Sequence, residues 1–90
     1  MMQGLPGAEL IDKGLADLAR NEETVESLLV SIGSPKLRSL GVSVGPIFEN
    51  PEHRLYALLG REHGNNAHGQ YNALVRRLVS YERALACARP

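Results

Sequence analysis

Ninety residues amount to one small domain, and a chain of that length buries only roughly 60–65% of the surface its unfolded form exposes, so its stability margin is thin. Ten basic and ten acidic side chains cancel, which removes the strong field of a dedicated duplex binder. The aromatic set is Phe48, Tyr56, Tyr71 and Tyr81, too few for a surface that stacks bases. Cys87 is the single cysteine, so no intrachain disulfide can form and a reducing, cytoplasmic location is expected. No apolar run approaches the ~20 residues that span a bilayer, and the basic and apolar segments of a signal peptide are missing from the start, so no membrane association is expected.

Met1 to Gly7 is a glycine- and proline-rich stretch around one leucine and reads as a flexible lead, leaving residues 8–90 as a single helical domain. Over residues 8–20 the spacing of Leu10, Ile11, Leu15 and Leu18 predicts a first helix, with Glu9, Asp12, Lys13 and Asp17 on the solvent side. Gly14 costs that helix about 1 kcal/mol relative to alanine, and suits either a tolerant surface or a close helix contact. Val25, Leu28, Leu29 and Ile32 predict a second helix over 23–32, with Glu22, Glu23 and Glu26 complementing the positive end of its dipole. Gly33 is expected to stop it, and Ser34 with Pro35 to cap a short third helix over 35–40 that shows Leu37 and Leu40 to the core.

Residues 42–49 change character. Val42, Val44, Ile47 and Phe48 around Gly45 and Pro46 predict an extended loop that plugs the core, the alternative being an edge strand paired with its symmetry mate. Asn50 and Pro51 begin a fourth helix over 51–62, presenting Leu55, Leu58 and Leu59 with Tyr56 beside them. A short polar turn then makes it the antiparallel neighbour of a fifth, over 67–88. There Tyr71, Leu74, Val75, Leu78, Tyr81 and Leu85 share one face, opposite Arg76, Arg77 and Arg83. The expected fold is all-α, a small bundle of four to five helices organised around this last one. Its apolar stripe runs more than about 20 Å, further than three short helices can cover, and the uncovered remainder is expected to mediate association, as a homodimer or with a protein partner.

Charge is unevenly shared. Residues 1–50 carry a net −3 and residues 51–90 a net +3, a split that can complement itself between two copies or serve as two solvated faces. The first candidate site is the set Arg76, Arg77 and Arg83, suited to an acidic partner or phosphate. Being adjacent, Arg76 and Arg77 point about 100° apart and are not expected to grip one flat ligand together.

The densest polar group surrounds the turn at 61–68, with Arg61, His63 and His68. The two histidines lie five apart across a turn without a third ligand, so no metal and no cofactor is expected. Arg61, six intervening residues and His68 resemble the arginine-to-histidine spacing of the HEPN superfamily of helical ribonucleases, although GNNA departs from a helical motif. That resemblance implies a metal-independent ribonuclease, with Arg61 holding phosphate and His68 as acid or base. A third candidate is a DNA-binding regulator using a helix-turn-helix over 24–40, with Gly33 at the turn and Lys36 and Arg38 on the reading helix as nucleic-acid contacts; Leu29, where such motifs favour a small residue, and Pro35 fit it poorly. Of the three, the leading expectation is a bacterial-style, cytosolic, non-catalytic interaction or regulatory module working through the C-terminal helix.

Overall fold

A computed structural model describes residues 5–88, and their helical backbone falls into three uninterrupted runs, 8–19, 25–39 and 51–88. The first two are α1 (Ala8–Ala19) and α2 (Val25–Ser39). The third is an α-hairpin, α3 (Pro51–His63) and α4 (Ala67–Ala88), joined by the single 3-10 turn Gly64–Asn66. The all-α class is as expected, and no strand occurs among the described residues. The expectation of four to five separate helices is corrected: the predicted second and third are one helix, and the hairpin is helical throughout.

The fusion is local chemistry. Pro35 has no N–H to give the Ser31 carbonyl, so the helix loses one rung there. The Ser34 hydroxyl replaces it, donating to Ser31 O at 3.0 Å from a fully buried side chain. Ser34 is therefore a repair inside a helix and not the start of a new one. Gly33 is likewise no terminator, because a Cβ there would lie 2.8 Å from Leu78 Cδ1 of α4.

Both true breaks are made by backbone. Asn21, at φ 57°, ends α1 with Asn21 N bonded to Leu18 O and Glu22 N to Asp17 O. Gly41, at φ 92°, ends α2 with the same pair of bonds, Gly41 N to Arg38 O and Val42 N to Leu37 O. Thr24 then starts α2 through reciprocal bonds with Ser27.

The central element is α2, which packs against α1, α3 and α4, with Leu28, Leu29, Val30 and Leu37 fully buried. Against α1 it comes close: a Cβ on Gly14 would lie 2.4 Å from Glu26 O and 2.5 Å from Val30 Cγ2, so Gly14 serves the helix contact. The segment 42–49 holds neither helix nor strand and lies along α2. Val42, Val44 and Phe48 are half-buried against the core as expected, whereas Ile47, expected to join them, is 40% exposed. Phe48 N donates to Ser31 Oγ at 3.4 Å, and the Arg38 guanidinium donates to Gly45 O at 3.0 Å. Asn50 does precede α3, but in the left-handed region and without a side-chain cap.

α4 is one rod of 22 residues, ~33 Å long, in a molecule measuring 42 × 25 × 19 Å. Leu78, Tyr81 and Leu85 are buried, and Tyr71 and Leu74 are half-buried against the same core. Apart from the partly buried Val75, the apolar stripe is thus covered by the chain itself, correcting the expectation of a large uncovered remainder. Among the described residues the exposed large hydrophobics are Ile47 and Tyr56. Leu5 to Gly7, expected in the flexible lead, close the bundle: Leu5 packs on the core, and a Cβ on Gly7 would lie 3.1 Å from Arg77 O. The rest of that lead, residues 1–4, and the terminal Arg89 and Pro90 lie outside the described residues. No described helix is long and apolar enough to cross a membrane.

Candidate functional site

The approach of Gly7 to α4 leaves a shallow groove of ≈ 250 Å³ between the entry to α1 and the outer side of α4. Its floor and walls are Pro6, Gly7, Ala73, Arg76, Arg77 and Ser80. On α4 the lining positions follow i, i+3, i+4, i+7, so the groove tracks two turns of one helix face. Although Arg76 and Arg77 diverge around the helix, both border this groove, which their sequence adjacency did not suggest.

Arg77 is ion-paired with Glu9 from the first turn of α1. Glu9's carboxyl is held below the usual range first by a hydrogen bond from its own backbone amide and further by Arg77, against partial desolvation. Arg76 makes no hydrogen bond or ion pair among the described residues, and neither does Arg83. Arg83 stands seven residues from Arg76 on the same helix face, one turn past the groove.

Charge on α4 is strongly sorted. Its exposed positions carry Arg76, Arg77 and Arg83 and no carboxylate. The one acid of this helix, Glu82, is half-buried against α2, beside Gly33 and within the field of Lys36. Burial pushes its carboxyl up from the ordinary value, with Lys36 opposing the shift. Comparison of the chain with family models, curated proteins and solved structures finds no match.

The other sequence candidates are placed differently. Arg61 is exposed in the last turn of α3 without hydrogen bond or ion pair among the described residues. His68 lies in the first turn of α4, its Nε2 3.2 Å from Asn72 Nδ2 and its ring 6.2 Å from that of Tyr56, which in turn sits 5.7 Å from Tyr71. No bond joins Arg61 to His68. His63 ends α3 with Nε2 3.9 Å from Glu62 Oε1, and no group of three metal-binding side chains occurs among the described residues.

The helix-turn-helix expectation is corrected outright, because residues 25–39 are one helix with no turn at Gly33. Lys36 and Arg38 are exposed in its last turn, where Arg38 is committed to the carbonyls of Val44 and Gly45.

Asp17 also lies elsewhere than its place in the helix pattern suggests. Expected on the solvent side, it is 1% exposed. It accepts from Lys13 Nζ, Arg20 Nη2 and Thr24 Oγ1, each at 2.7 Å, which pins the end of α1 to the cap of α2. The signal was present in Lys13 at i−4 and Arg20 at i+3. The groove's second wall, Pro6 and Gly7, had no such signal.

Proposed function

We propose that this chain is a small, non-catalytic interaction or regulatory module whose docking surface is the outer face of α4. The observation that carries the reading is the pair Arg76 and Arg83, two guanidiniums without partners among the described residues, beside a groove with an apolar lining and on a helix face without acids. Exposed arginines gain little from intramolecular pairing, but at an interface they are among the residues that anchor partners. The covered apolar stripe changes the character of the contact, which is read as a polar and cationic one around a small apolar groove.

The test is affinity capture of interacting proteins from cells that make the chain, comparing the natural sequence with Arg76→Glu/Arg83→Glu. Both positions are solvent-facing, so circular dichroism should show an unchanged helical fold. The reading expects the doubly reversed chain to lose the proteins that the natural chain retains. Retention of the same proteins by both would remove α4 from the account.

A further inference from the structure

The geometry points to an acidic helical segment of another protein as the occupant of the α4 groove, an inference that rests on the docking reading above. Arg76 and Arg83 are seven residues apart, so their guanidiniums stem from one face about 10.5 Å apart along the axis. Carboxylates at i and i+7 of a second helix repeat with the same spacing. Beside Arg76, and one turn before Arg83, a small aliphatic side chain fits the groove lined by Pro6, Gly7, Ala73 and Ser80. The intramolecular pair of Arg77 with Glu9 already shows a carboxylate seated on this rim.

A second copy of the chain fits the surface less well. A two-fold contact is self-complementary, so α4 against its own copy sets arginine against arginine with no exposed carboxylate on that helix in reply. A head-to-tail contact would have to use Asp12, Glu49 or Glu52, which are exposed and make no ion pair among the described residues, since Glu22 is engaged with Arg20, Glu23 with Arg54 and Glu26 with Lys13. Sedimentation velocity separates that case from a foreign helix. Nucleic acid is disfavoured by the lining, which offers no aromatic ring for a base, and by the zero net charge of the chain.

The experiment uses the full chain and a fluorescein-labelled synthetic amphipathic helix with glutamate at one position of each heptad and leucine or alanine on the groove-facing side. Anisotropy titrations are run beside a lysine-for-glutamate peptide, a single-stranded and a duplex oligonucleotide, and sedimentation velocity of the chain alone. Saturable binding of the acidic peptide is expected, absent for the lysine peptide, weakened by salt, and reduced roughly fivefold by each of Arg76→Ala and Arg83→Ala. Arginine-independent peptide binding, or none, overturns the inference. If the oligonucleotide or a second copy binds instead, and Arg76→Glu/Arg83→Glu abolishes it, the acidic helix is wrong while the docking face survives. If no probe and no self-association depends on these arginines, both fall.

Discussion

At the scale of single residues, Asp17 shows how a buried charge becomes structural. Three donors at 2.7 Å surround it, and the bonds from Lys13 first and the Thr24 hydroxyl second hold its carboxyl below the ordinary value despite desolvation. The unfolded carboxylate titrates near ~3.9, so the stabilisation is complete above that pH and drains away as pH falls through the lower folded value. Asp17→Asn is therefore expected to lower the urea midpoint at neutral pH and to flatten its decline below about pH 4, as urea titrations at stepped pH will show.

Two glycines give opposite expectations. Gly14→Ala forces a Cβ against the Glu26 carbonyl, which is backbone and cannot swing aside, so the helices must part at a cost of about 2 kcal/mol despite the better helix former. Gly60→Ala meets nothing within 4 Å and gains about 0.5–1 kcal/mol. Thermal melts separate them, since each kcal/mol moves the midpoint by about 4–8 °C in a domain of this size. Helix patterning alone left Gly14 undecided between surface and contact, because a glycine has no side chain whose polarity reveals its neighbour.

At the scale of elements, α2 was the hardest to read and is the most important. A helix that contacts three others has no single apolar stripe, and Ser27, Ser31 and Ser34 on its buried side look polar in sequence. Gly-Ser-Pro therefore reads as a break, whereas hydroxyls bonded back to their own helix carry it through: Ser31 to Ser27 O at 2.8 Å and Ser34 to Ser31 O. By contrast α1 and α4 were legible within a residue or so, because each presents one patterned face. The repair predicts coupling between neighbours. Ser34→Ala strands the buried Ser31 carbonyl and should cost about 1–3 kcal/mol. Pro35→Ala returns an N–H to that carbonyl and should stabilise by about 1–2 kcal/mol. In the Pro35→Ala background, Ser34→Ala should be nearly silent, and a double-mutant cycle by urea denaturation measures the difference.

At the scale of the whole molecule, the fold turns its greasy helix inward and leaves its cations outside. The apolar face of α4 packs on Gly33 of α2, the entry to α1 and the α3 leucines, while Arg76 and Arg83 have no partner among the described residues. The arginines themselves were legible from their position opposite the apolar stripe. Their setting was not, since a groove requires the approach of Gly7, sixty-six residues upstream of Ala73, and composition marked Gly7 only as part of a lead.

The central claim is that binding happens on this outer face, and amide chemical-shift mapping of the nitrogen-15-labelled chain titrated with the acidic helical peptide tests it most directly. The account predicts perturbations confined to the entry to α1, around residues 5–9, and to α4 between Ala73 and Ala84, vanishing with Arg76→Glu/Arg83→Glu. Perturbations centred instead on the Tyr56–Tyr71 contact or on the 42–49 segment would contradict it.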